Sequence, residues 1–166
     1  MDMEEQNLPH RRVYFVFYTY RRHPWLARPE AVQRLRTAFR EVARRRPWVW
    51  DGAVILPDAV HGLWSIPAQD PDPRGRWQAA KAHCTRHLRN WPGLPQGRLW
   101  QRGVEWHDVA AGEWRHYLDM LHWEPVRRGL AARPECWRYS SYRRCQAAGL
   151  YGQPWEQARS LPEISP

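Results

Sequence analysis

A single imidazole, His61, stands in the run Val54-Ile55-Leu56-Pro57-Asp58-Ala59-Val60-His61-Gly62-Leu63-Trp64, whose other members are mostly aliphatic, aromatic or small. Imidazole nitrogen is a common ligand of divalent metals, but a lone histidine on an apolar strand is more often a structural residue. The run alternates at period two and carries a turn signal at Pro57-Asp58, which predicts a strand over 59–66. Alternation puts Ala59, His61 and Leu63 on one face and Asp58, Val60 and Trp64 nearer the other. A catalytic reading of His61 therefore depends on partners supplied from elsewhere in the chain.

A second chemistry is spread along the sequence. The formal charge is +9 over 166 residues, and Lys81 is the only lysine, so the cations are almost all arginine. That surplus implies a polyanionic partner, and the forked guanidinium suits phosphate better than a point charge does. The twelve tryptophans interleave with the arginines as base-stacking groups would, although about two-thirds of them are expected in the core. Cys84, Cys136 and Cys145 are odd in number and lack paired ligand spacing, so they read as free thiols. The sequence has no signal peptide and no long apolar run, which predicts a soluble cytoplasmic protein without membrane insertion.

The elements that would position these groups follow from local pattern. Val13 to Thr19 is β-branched and aromatic, apolar on both faces, and predicted to be a central strand covered on at least one side by helices. The basic loop Arg21-Arg22-His23-Pro24-Trp25 comes next. Pro29 and Glu30 open a helix running to Arg46, with Val32, Leu35, Phe39, Val42 and Ala43 on one face and Arg34, Arg36, Arg40, Arg44 and Arg45 on a charged outer face. Strands are predicted at 48–56, 59–66 and 99–106, the first two as an antiparallel hairpin. Helices are predicted at 77–90 and 113–122, the latter stopped by Glu124-Pro125, and residues 67–75 form a rigid acidic connection. Hydrophobic residues make up 43% of the chain, enough for one α+β domain over 13–148, with a loose lead-in at 1–12 and an extended tail at 149–166.

Four blocks, in order, resemble REP-associated tyrosine transposases, a branch of the single-tyrosine HUH transposases. They are the strand, basic loop and helix over 13–46; Leu-Pro-Asp-Ala-Val-His-Gly-Leu-Trp at 56–64; Arg76-Trp77-Gln78 through Lys81 to Thr85-Arg86, leading to Trp100-Gln101-Arg102; and Leu118-Asp119-Met120-Leu121-His122-Trp123-Glu124-Pro125-Val126-Arg127-Arg128-Gly129-Leu130, followed by Pro134-Glu135-Cys136-Trp137 and Ser140-Ser141-Tyr142. The family writes the second block Pro-Asn-His-x-His or Pro-Glu-His-x-His, and the last Asp-Tyr-Ile-His-Tyr-Asn-Pro-Val-Lys-x-Gly-Leu, then Pro-Glu-Asp-Trp and Ser-Ser. The resemblance spans about residues 13–145 and implies an HUH, ferredoxin-like antiparallel sheet with packed helices.

What the resemblance implies chemically is a tyrosine nucleophile that forms a 5′-phosphotyrosine, assisted by a divalent metal on two histidines and a polar residue one helical turn after the tyrosine. Here the first histidine is Ala59 and the tyrosine is Met120, whose thioether has no proton to lose. His61 and Glu124 remain as residual ligands. One imidazole and one carboxylate rarely hold a divalent ion, so Mg²⁺ or Mn²⁺ is expected weakly or not at all. Asp58 is a substitute ligand only if the strand bulges, and Tyr117, three residues before Met120, is a substitute nucleophile only in a shifted site; as a groove aromatic it needs neither. The expected function is that of a domesticated, inactive transposase-like protein, associated with the nucleoid, that recognises hairpin or palindromic DNA and the adjoining single strand. Arg21, Arg22, His23, Trp25, Arg127, Arg128, Arg138, Arg143 and Arg144 are the candidate contacts, and a monomer is preferred over a homodimer. Two alternatives stay open: an active single-strand transposase or nickase using Tyr117, and an RNA-hairpin binder or subunit of a larger complex.

Overall fold

The computed structural model describes residues 10–152. Its centre is a four-stranded antiparallel sheet in the order β2-β3-β1-β4, with β1 at His10–Tyr18, β2 at Val49–Ile55, β3 at Ala59–Pro67 and β4 at Glu105–Val109. Helix α1 (Pro29–Ala43) links β1 to β2, and α2 (Pro73–Leu88) links β3 to β4. This is the βαββαβ order of a ferredoxin-like domain. Helices α3 (Trp114–Arg127) and α4 (Tyr142–Ala147) follow the sheet.

β1 is covered on both sides, as its two apolar faces require. Val13, Phe15 and Phe17 join the core under α1 and α2, while Tyr14 and Val16 join a second core under α3 and α4. The faces of β3 divide as alternation predicts: Val60, Trp64 and Ile66 enter the first core, Ala59 and Leu63 the second. Trp48, Trp64 and Trp77 stack through the first core, with ring centroids 4.3 and 5.6 Å apart. Tryptophan is thus used mainly for packing. Two glycines permit close approach: a side-chain carbon at Gly52 would collide with Leu118 of α3, and one at Gly62 with the Phe15 ring.

Element boundaries depart from the sequence reading in several places. β1 begins at His10, so 10–12 belong to the sheet; residues 1–9 of the expected lead-in and 153–166 of the expected tail lie outside the described residues. α2 starts at Pro73, four residues early, because the Asp72 carboxylate accepts the Gly75 N–H at 3.0 Å and caps it. The fourth strand is displaced to Glu105–Val109, leaving Trp100 only a bridge to Thr19. Gly103 turns the chain at φ 76°, and Lys81 Nζ donates to the carbonyls of Gln101 and Gly103 at 3.0 and 2.9 Å. Those carbonyls are then unavailable to a ladder. α3 runs through Pro125 rather than stopping before it. Only two residues remain after the proline, whose missing N–H costs one intrahelical bond, and Leu121, His122, Glu124 and Pro125 are all buried there.

The acidic connection before α2 contains a buried ion pair. Arg76 NH1 lies 3.0 Å from Asp70 Oδ2, with side chains 4% and 7% exposed, and Arg76 NH2 donates to the Pro47 carbonyl at 3.1 Å.

Candidate active site and nucleic-acid interface

His61 sits near the middle of β3 on the face toward α3, 6% exposed. β1 supplies its first partner. Val16 pairs with His61 and Tyr14 with Leu63, so Tyr14 is a diagonal neighbour on the same face. The Tyr14 hydroxyl lies 2.8 Å from His61 Nδ1 and fixes the ring whichever partner donates. Nε2 is buried and has no hydrogen-bond partner among the described residues. Burial holds the His61 pKa down to about 4; Glu124 pulls it up, and Arg128, Arg127 and Arg22 push it further down. Burial likewise raises Tyr14 above the ordinary tyrosine range, so the pair is neutral at pH 7. Tyr14 was not singled out from sequence; as a strand residue two positions from Val16 it shares that residue's face.

Glu124, 4% exposed on α3, is the principal negative charge that His61 feels. Burial opposes its ionisation, but hydrogen bonds from Arg127 and Arg128 outweigh burial and hold its carboxyl below the ordinary value. Arg127 donates at 2.6 and 2.8 Å and Arg128 at 2.7 Å. Arg128 also donates to Asp58 at 2.8 Å, and Arg22 reaches the other Asp58 oxygen at 2.7 Å while lying 4.0 Å over the Tyr18 ring. The result is a chain of alternating charge, Arg22–Asp58–Arg128–Glu124–Arg127, along the edge of the His61 pocket. β1 and β3 keep unbroken register from Ala59 onward. Asp58 thus stays in the turn before β3, without a bulge, and is committed to two arginines.

Ala59 is fully buried, and Met120 and Tyr117 pack partly buried against the same core. Met120 lies one turn before Glu124 on the same helical face. The Tyr117 ring is 5.3 Å from Tyr14 and 5.0 Å from His107, a groove aromatic. A divalent ion of the kind the resemblance implies does not fit these residues. His61 Nε2 is without a partner, but the Glu124 oxygens are occupied by guanidinium, and no group of three or more His, Cys, Asp or Glu is placed to hold a metal among the described residues.

The candidate nucleic-acid contacts fall into separate places. Arg21, Arg22 and His23 are exposed, and Arg21 and Arg22 adopt left-handed φ of 51° and 59°. Such backbone costs of order 1 kcal/mol or more per residue and is enriched at functional sites. Arg127 and Arg128 flank Glu124. Arg138, Arg143 and Arg144 are exposed beyond β2, with Arg143 donating to the Glu135 carbonyl at 3.2 Å. Trp25 is a correction: it is fully buried, edge-on to Trp100 at 5.0 Å. The turn at Tyr20–Arg22 folds the loop inward, and Leu26 N–H bonds the Pro57 carbonyl at 2.8 Å. Trp25 cannot stack on a base.

A second buried histidine positions α3. His122 Nδ1 lies 2.7 Å from the Tyr151 hydroxyl and Nε2 lies 2.7 Å from Ser141 Oγ, while Tyr151 donates to Asp119 at 2.9 Å. With the Tyr151 proton on Asp119, His122 Nδ1–H must donate to Tyr151, and the Ser141 hydroxyl must donate to Nε2. Ser141 Oγ meanwhile accepts the Ala53 N–H at 2.9 Å. One tautomer therefore ties α3 to β2 and to the segment after it. Burial holds the His122 pKa at about 3. Both histidines bind fewer protons folded than unfolded, so their contribution is full above pH ~6.5 and is lost as pH falls toward about 4 for His61 and about 3 for His122. Stability is expected to fall by about 1.4 kcal/mol per pH unit for each histidine below pH 6. Urea midpoints across this range check it: His122→Gln should roughly halve the slope, and a flat wild-type profile from pH 6.5 to 5 contradicts it.

No protein-family model matches the chain. The REP-associated tyrosine transposase of Escherichia coli K12 is 31% identical over 123 residues, covering 74% of this chain and 72% of that protein. A Haemophilus influenzae protein with a provisional form of the same name is 26% identical over 133 residues, covering 75% and 76%. Among solved structures, a REP-associated tyrosine transposase bound to a REP hairpin matches with TM-score 0.79 and 25% identity, over 98% of this chain and 96% of that one. A Deinococcus radiodurans protein provisionally described as a transposase shares the fold, with TM-score 0.53 and 21% identity over 73% of this chain and 98% of that one.

Proposed function

The chain belongs to the REP-associated tyrosine transposase family, and on that premise we propose that it binds hairpin DNA and the adjoining single strand without cutting either. The observation that carries the inactive part of this reading is the state of the His61 pocket. Met120 offers no hydroxyl one turn before Glu124, and the Glu124 carboxylate that would ligate a metal is held instead by Arg127 and Arg128. Two permanent cations thus hold the carboxylate that the family's chemistry would use as a metal ligand. Guanidinium groups bind a phosphate and leave it intact. The binding part is supported by the family relationship, by the hairpin held by the structural relative, and by the net charge of +9.

In this reading the protein works as a monomer on DNA in the cytoplasm, and no helix among the described residues is long and apolar enough to cross a membrane. Mg²⁺ or Mn²⁺ binds no tighter than about millimolar, a weak-site level. Micromolar, stoichiometric Mn²⁺ in calorimetry would restore the active reading.

The test is a titration of labelled DNA hairpins against salt, run beside a denaturing gel with Mn²⁺. The logarithm of affinity should fall linearly with log salt, with slope roughly −4 to −5 for about five neutralised phosphates. The denaturing gel should show no protein–DNA adduct. A slope near zero, or tighter binding of the matching RNA hairpin, overturns the DNA reading. A wild-type adduct that is lost on Tyr117→Phe overturns the inactive one.

A further inference from the structure

The arginines around His61 are largely neutralised by Asp58 and Glu124; a group of uncompensated arginines lies on the other side of the sheet. A cavity of about 760 Å³ opens between α1, β2 and the segment 138–144. Arg36, Arg40, Arg138 and Arg144 line it together with Trp48 and Tyr139. None of the four arginines pairs with a carboxylate among the described residues. Arg40 reaches only Thr37 Oγ1 at 3.1 Å, and Arg144 only the Trp50 and Asp51 carbonyls at 2.9 and 3.5 Å. Arg138 lies over the Tyr139 ring at 5.0 Å. Arg36 and Arg40 were expected on an ordinary solvated face; here they form one wall of a cleft.

We propose that this cleft captures an unpaired nucleotide of the single strand adjoining the hairpin, its base against Trp48 and its phosphates between the α1 arginines and Arg138 and Arg144. The inference rests on the DNA-binding reading above and assigns it a place. Its volume lies within the roughly 300–1,000 Å³ of ligand clefts, and its walls combine what single-strand sites combine, guanidinium for the backbone and a flat ring for the base. Trp48 is a rigid platform, because its ring is backed by Trp64 at 4.3 Å and through it by Trp77. A duplex keeps its bases inside the stack and cannot present one to a concave aromatic wall.

The far wall is also fixed. β2 is an edge strand, and the segment 139–141 is pinned to it by Ile55 N–H to the Tyr139 carbonyl and Ser141 N–H to the Ala53 carbonyl, both 2.8 Å. The cleft is separate from the His61 pocket: Val60 lines it, and its neighbour His61 faces the opposite side of β3.

The test compares a blunt DNA hairpin, the same hairpin with a single-stranded oligothymidine extension, and free oligothymidine. Wild-type protein should bind the extended hairpin more tightly than the blunt one. The exposed triple change Arg36→Gln, Arg40→Gln and Arg138→Gln should lower affinity for the extended hairpin and for oligothymidine by tenfold or more. It should also reduce the oligothymidine salt slope by about 2, since each lost single-strand contact removes roughly 0.7. Trp48→Leu should weaken the same two probes by roughly tenfold, through lost stacking, with the salt slope unchanged. Blunt-hairpin affinity should change little in either variant. Equal losses on blunt and extended hairpins, or no loss on the extended one, overturn the cleft proposal and leave hairpin binding standing. Failure of the wild type to bind any hairpin overturns the DNA-binding reading instead, and oligothymidine binding lost in the triple variant would still support the cleft.

Discussion

A chain carrying both Ala59→His and Met120→Tyr is expected to form a covalent adduct with a hairpin bearing a 5′ extension, while the parent and each single variant stay silent. The reason is that the missing groups act as one unit. A tyrosine without a metal attacks an unpolarised phosphate, and a second imidazole without the tyrosine has no nucleophile to assist. Such groups are strongly non-additive, so neither single restoration recovers part of the rate. Much of the frame for the double variant is present: Tyr14 already orients His61 through Nδ1, leaving Nε2 unpartnered.

Two features hold the gain down. Ala59 is fully buried, so a larger ring there overpacks the core at about 1–3 kcal/mol. Arg127 and Arg128 must also release Glu124 before it can ligate. A Mn²⁺-dependent shifted band on a denaturing gel would register the adduct. A double variant with unchanged circular dichroism and unchanged hairpin affinity, yet no band at any Mn²⁺ concentration, would overturn the expectation that these two side chains alone restore the centre.

The largest stability effect is expected at the Arg76–Asp70 pair. Asp70→Ala leaves the 4%-exposed guanidinium of Arg76 without its counter-charge, a change that costs about 3–5 kcal/mol in buried pairs. A domain is stable by only about 5–15 kcal/mol, so the loss is a large share of the total. Melting should drop by roughly 6–20 °C for a domain of this size. Removing both charges, Arg76→Met with Asp70→Leu, should recover most of it, because the unpaired ion and not the missing attraction is the main cost. A single variant melting within 2 °C of the parent, on a scale where about 1 kcal/mol moves the midpoint by 2–4 °C, would mean that water reaches the pair.

The sequence alone determined whatever depends on local period. The β-branched and aromatic run of β1, the alternation in β3, the amphipathic face of α1 and the short β2–β3 turn gave the element order and the hairpin. They also gave the faces on which Ala59, His61 and Val60 lie. That Ala59 and Met120 stand where the resemblance expects a histidine and a tyrosine was likewise legible, since it is a matter of identity within collinear blocks.

What only the tertiary structure decided is which groups meet across long separations. Arg128 and Asp58 are 70 residues apart, and Tyr14 and His61 are 47 apart; no window of sequence contains either contact. Trp25 sits in a basic loop and reads as exposed until the turn before it folds the ring onto Trp100. Arg36 and Arg40 read as a solvated helix face until the segment after α3 is laid along the edge of β2. Charge compensation explains the difference: a guanidinium is spent or free according to whether a carboxylate comes within about 4 Å. Strand register and helix packing set that distance, so the same residue type is neutralised beside His61 and available in the cleft behind it.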